Sequence, residues 1–119
     1  MDTITQKDTD LANFAKAIAL PVRVGIIRLI LERKNEATRL ELHSLPYKQA
    51  TVNQHLAELI YLKILKSKRD GRMNSYKVDE AVFTKMSNNF LSLLKTLDFK
   101  NHVTGKEKSE TQVASVAVW

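Results

Sequence analysis

Three carboxamides and a hydroxyl fall within six residues of this chain, at Gln49, Thr51, Asn53 and Gln54. Asn and Gln pair bidentately with adenine N6 and N7, and threonine meets base edges or a thymine methyl, so the group is equipped to read the major-groove side of base pairs. Any solvated helix face carries amides as well, and the neighbourhood separates the two cases. From Lys63 to Lys77 stand six basic residues, Lys63, Lys66, Lys68, Arg69, Arg72 and Lys77, against one acid, Asp70, so this stretch carries +5 of the net +6. A local positive field attracts a polyanion such as double-stranded DNA. Lys68, Arg69 and Arg72 are expected at phosphates or in a flanking minor groove, where a narrow groove concentrates negative potential. Lys48, directly ahead of the amides, suits a phosphate, and Arg23 and Arg28 are further backbone candidates.

Other chemistries lack their parts. There is no cysteine, so disulfides and thiolate metal sites are excluded. His43, His55 and His102 follow no ligand spacing, and neither metal nor cofactor is expected. Glu41, His43 and Ser44 are neighbours in sequence, but adjacency along a chain does not build a nucleophile, base and orienter. The three glycines form no phosphate-cradling loop, so the chain reads as no enzyme. His55, beside Leu56, reads as a partly buried, hydrogen-bonded packing residue.

The elements that position the amides follow from apolar spacing. Residues 1–8 read as a flexible tail, 9–98 as one domain and 99–119 as a polar second tail. Leu11, Phe14, Ala15 and Ile18 recur at helical spacing behind Thr9 or Asp10 as N-cap. Pro21 suits the first turn of a second helix, whose stripe is Val24, Ile27, Ile30 and Leu31. Thr38 to Glu41 matches a capping box opening a short third helix, and Pro46 forces a turn before the next. That fourth helix has an apolar back of Val52, Leu56, Leu59 and Ile60, with the amides elsewhere. Residues 64–68 and 73–78 read as strands joined at Asp70-Gly71. Asp79 caps a last helix with the stripe Phe83, Met86, Phe90, Leu93, Leu94 and Leu97, which must be buried somewhere.

The fold class is therefore mainly α with a β-hairpin wing, a winged helix-turn-helix whose fourth helix enters the major groove. A chain of 119 residues buries a modest share of its surface and gains from a partner subunit. No apolar run of about 18 residues exists and the N-terminus is polar and acidic, so neither membrane span nor signal peptide is expected, and a cytoplasmic protein is.

Three segments resemble the ArsR family of bacterial repressors over roughly Leu11 to Leu97. FAKAIALPVR (Phe14 to Arg23) is similar to the family's F-x-A-L-a-x-P-x-R, QATVNQHLAEL (Gln49 to Leu59) to its reader helix Q-S-T-V-S-R-H-L-K-x-L, and RDGRMNSYKV (Arg69 to Val78) to its wing R-x-G-R-x-x-Y-Y. The resemblance implies a transcriptional repressor binding an imperfect inverted repeat as a homodimer built on the first and last helices. Leu11, Phe14 and the last helix's stripe would then form the interface. The family's metal ligands, a Cys-x-Cys pair or Asp/His pairs on the last helix, are absent, and the sequence names no inducer. Lys63 stands where the family places a small residue after the reader, a position that calls for left-handed backbone, and Ala50 replaces a common serine. The alternative is a winged helix that docks a protein instead of DNA. It would gain if acids folded beside the basic hairpin and cancelled its charge.

Overall fold

The computed structural model describes residues 3–96. Leu97, His102 and the tail expected over 99–119 lie outside the described residues.

The elements are α1 (Gln6–Ala17), α2 (Pro21–Glu32), β1 (Ala37–Thr38), α3 (Arg39–Leu42), α4 (Gln49–Tyr61), β2 (Leu65–Asp70), β3 (Met73–Val78) and α5 (Glu80–Lys95). The three strands form an antiparallel sheet in the order β1-β3-β2. None of the described helices is long and apolar enough to cross a membrane.

Local chemistry sets most boundaries. The Thr38 hydroxyl accepts from the Glu41 amide (3.1 Å) while the Glu41 carboxylate accepts from the Thr38 amide (2.8 Å), closing two helix-start donors at once. Pro21 opens α2, and the Asp79 carboxylate accepts from the Val82 amide (3.1 Å) at the start of α5. In the hairpin Asp70 faces Met73, so the two-residue loop is Gly71-Arg72 rather than Asp70-Gly71. Gly71 takes φ +65° in its first position, which glycine adopts without penalty.

Two further expectations are revised and one strand is added. First, α1 starts about one turn early, because Thr5 rather than Thr9 or Asp10 caps it: the Thr5 hydroxyl accepts from the Asp8 amide (3.1 Å) and Asp8 accepts from the Thr5 amide (3.0 Å). Second, α2 buries Val22, Ile26, Ile27 and Ile30, while Val24 and Leu31 are 50% and 49% exposed. A helix apolar on nearly every side leaves its phase undetermined by sequence periodicity. Third, β1 pairs with β3, Ala37 facing Tyr76 and Thr38 facing Ser75, a two-residue strand too short to show an alternation.

The core gathers Ile26 and Ile30 of α2, Leu42 of α3, Val52, Leu56 and Leu59 of α4, and Leu65, Tyr76 and Val78 of the sheet. Phe14 of α1 and Phe83 of α5 pack edge to face against each other, centroids 5.3 Å apart. Between α2 and β1 the backbone turns left-handed at Lys34 and Asn35, both at φ 60°. Asn35 tolerates that geometry and docks on β3: its Oδ1 accepts from the Val78 amide (2.8 Å) and its Nδ2 donates to the Val78 carbonyl (3.4 Å). Lys63, just past α4, is left-handed at φ 65°, as its place after the reader called for.

Candidate nucleic-acid interface

Val52, Leu56 and Leu59 turn one side of α4 into the core, and the start of its other side is open. Lys48, Gln49 and Gln54 are exposed, and Thr51 and Asn53 are half-buried. No side chain caps the helix start at Lys48, so amide donors there remain available, in a place where the helix dipole favours an anion.

Asn53 is not simply an outward amide. The ring of His43, at the end of α3, makes a 2.8 Å hydrogen bond between its Nε2 and Asn53 Oδ1. Sequence reading weighed His43 only as a metal ligand or catalytic base, because a contact across the turn that holds Pro46 leaves no periodic trace.

After α4 in the chain, β2 is exposed from Lys66 to Asp70. Lys68 faces Ser75 and Arg69 faces Asn74 across the hairpin, and Arg69 Nε donates to the Gly71 carbonyl (3.1 Å), which steadies the tip. Of the six cations from Lys63 to Lys77, Lys66 alone has a carboxylate within 4.0 Å among the described residues, Asp79 at 3.7 Å. The positive charge of the wing is thus largely uncancelled. Between α3 and the wing tip lies a cleft of about 300 Å³ lined by Arg39, Leu40, His43, Arg72, Met73 and Asn74. Arg39, which sequence reading passed over, donates from Nε and Nη2 to the Tyr76 hydroxyl (3.0 and 2.6 Å) and so ties α3 to β3.

Two expected backbone candidates are engaged within the protein. Arg23 donates from Nε to His55 Nδ1 (3.0 Å) and from Nη1 to the Ala17 carbonyl (2.7 Å), which makes it a strap joining α1, α2 and α4. Arg28 pairs with Glu32 one turn away (2.8 Å). His55 is the half-buried, hydrogen-bonded residue its sequence position suggested. Burial holds its ring below the usual histidine value, with the Arg23 charge adding to the effect and Glu58 opposing it.

The residues expected to join two subunits are divided by burial. Met86 is only 8% exposed within the protomer, Leu11 is half-buried, and Phe14 and Phe83 already share an aromatic contact. Further along α5, Phe90, Leu93 and Leu94 are 53%, 49% and 41% exposed.

A hairpin wing following a helix-turn-helix defines the winged-helix class, and solved structures agree. The chain is similar to the transcriptional repressor BigR from Xylella fastidiosa, with a TM-score of 0.60 and 22% identity over 77% of this chain and 90% of that one. It is similar to HlyU from Vibrio cholerae, with a TM-score of 0.58 and 26% identity over 79% and 98%. An ArsR-family transcriptional regulator gives a TM-score of 0.57 and 19% identity over 82% and 95%. No family model matches the chain, and no curated protein matches it. The fold is a winged helix-turn-helix, and the solved structures similar to it are of proteins described as transcriptional regulators.

Proposed function

We propose that this chain is a DNA-binding transcriptional regulator, a repressor that reads an inverted-repeat operator as a homodimer. In this reading Gln49, Thr51, Asn53 and Gln54 meet base edges in the major groove. Lys48 at the helix start and Lys68, Arg69 and Arg72 on the wing hold the sugar-phosphate backbone. The observation that carries it is the pairing of an exposed, amide-bearing start of α4 with a hairpin whose cations, Lys66 excepted, have no carboxylate within 4.0 Å among the described residues. The same observation weighs against a protein-docking wing, which would call for a neutralised hairpin. The likeness to transcriptional repressors supports the reading. Repression follows from occupancy alone: a dimer seated on a promoter blocks polymerase without further chemistry.

Binding of a labelled operator duplex, followed by fluorescence anisotropy across a salt series, tests the proposal. Affinity should fall about tenfold for each doubling of salt when roughly four phosphates are engaged. Arg72→Ala should weaken binding to all duplexes and lower the salt slope by about 1, whereas Gln54→Ala should cost about 1 to 3 kcal/mol on the operator and relax its base preference. A flat salt response would overturn the reading.

A further inference from the structure

We infer that the cleft between α3 and the wing tip clamps one phosphate of the DNA backbone between Arg39 and Arg72, with Tyr76 as the positioning residue that aims Arg39. The inference rests on the proposed reading of DNA by α4.

A guanidinium is a planar fork with five N–H donors. Arg39 commits its side edge to the protein, donating from Nε and Nη2 to the Tyr76 hydroxyl (3.0 and 2.6 Å). Tyr76 is itself only 3% exposed, so the core fixes the hydroxyl and the hydroxyl fixes the fork. The end edge, formed by Nη1 and the second Nη2 hydrogen, has no acceptor among the described residues. That edge is shaped for two oxygens of one phosphate. Arg39 is thereby aimed before the ligand arrives, which reduces the entropy lost on binding.

The wing side of the cleft carries Arg72, whose side chain makes no hydrogen bond among the described residues. Neither arginine has a carboxylate within 4.0 Å among those residues. Two cations lining one cleft without a counter-charge repel each other, and an anion between them relieves the repulsion. Leu40 and Met73 line the same cleft and are 77% and 55% exposed. Such apolar flanks suit the deoxyribose carbons on either side of a phosphodiester better than they suit a free, fully hydrated anion. His43 also lines the cleft, and its Nε2 lies 2.8 Å from Asn53 Oδ1. The cleft therefore adjoins the reader helix, and the phosphate it seats would belong to a strand beside the bases that α4 meets.

The probe is a duplex that the wild type enriches from a randomised library, made as a set in which each phosphate in turn is replaced by an uncharged methylphosphonate. Anisotropy titrations of wild type, Arg39→Gln, Arg72→Ala and Tyr76→Phe against this set test the inference. One replacement should weaken the wild type about tenfold yet weaken Arg39→Gln and Arg72→Ala by no more than about twofold, at the same phosphate in both. Arg39 is exposed, so its exchange leaves the core untouched, and glutamine keeps a donor for the Tyr76 hydroxyl while dropping the charge. If Arg39 only ties α3 to β3, Arg39→Gln will bind the unmodified duplex as the wild type does; the clamp predicts a loss of about tenfold. Tyr76→Phe keeps the ring in the core and should lose about threefold, with a smaller response to that one phosphate. Wild-type affinity in Arg39→Gln, responses lost at different phosphates in the two arginine variants, or a Tyr76→Phe that matches the wild type throughout overturns the inference alone. A wild type that enriches no duplex overturns the DNA reading beneath it.

Discussion

His55 meets two demands at once: it sits half-buried on α4 and accepts a hydrogen bond from Arg23 through Nδ1. Protonating that nitrogen would replace an acceptor with a donor facing a cation, which is why burial and the Arg23 charge both hold the ring below its ordinary value of 6.5. The folded protein therefore binds this proton less readily than the unfolded chain does. Below 6.5 the unfolded state takes up more protons, so stability falls as pH drops from there through the folded-state value and rises again on the way back. Urea midpoints measured from pH 5 to 7 should climb with pH, and His55→Asn, which keeps an acceptor near the Nδ1 position, should flatten the difference. An equal slope in both proteins would deny His55 this role. Lys63 offers a second test, since left-handed backbone costs a residue with a side chain about 1 to 2 kcal/mol. Glycine there forfeits part of that gain through unfolded-state entropy, leaving about 0.5 to 1 kcal/mol of stabilisation. Thermal melts of Lys63→Gly should show a higher Tm.

Among the elements, α3 and the hairpin were legible in the sequence because their signals are local: Thr38 and Glu41 lie three apart, and Gly71 stands between two apolar-polar runs. The face of α2 was not, since apolar residues surround it and only the folded core selects Ile26 over Val24. β1 was hidden for another reason. Its two residues pair with Tyr76 and Ser75 of β3, and Asn35 extends the contact by side-chain bonds to Val78, a mimicry of a strand that leaves no pattern. The same separation explains the site: the outward amides of α4 could be read from its apolar back, but the bond from His43 and the diversion of Arg23 depend on chain segments 10 and 32 residues away. Asn35→Ala should destabilise the domain by about 2 kcal/mol, because the Val78 amide, in a buried residue, loses its acceptor. Asn35→Asp retains an oxygen there and should lose clearly less. Chemical denaturation of the two variants separates the cases, and equal losses would place the effect in the backbone turn instead.

In the proposed homodimer two copies would meet along the last helix. Phe90, Leu93 and Leu94 on α5 remain about half exposed, more apolar surface than a lone helix end needs to show. Phe90→Asp would set a carboxylate among them, and an unpaired charge is costly to bury. Sedimentation should then report monomers for the variant and dimers for the wild type; a variant that still sediments as a dimer would remove Phe90 from the interface. Loss of the dimer should also weaken operator binding, since two half-sites about one helical turn apart need two readers.

Arg23 gives the domain a mechanical property of its own. One guanidinium grips both the last carbonyl of α1 and the imidazole of α4, so a shift of the first helix along its neighbour would strain a charge-assisted contact with α4. Beside the apolar packing of Phe14, Ala17 and Ile18, this one polar side chain joins the amino-terminal helix to the helix proposed to touch the bases.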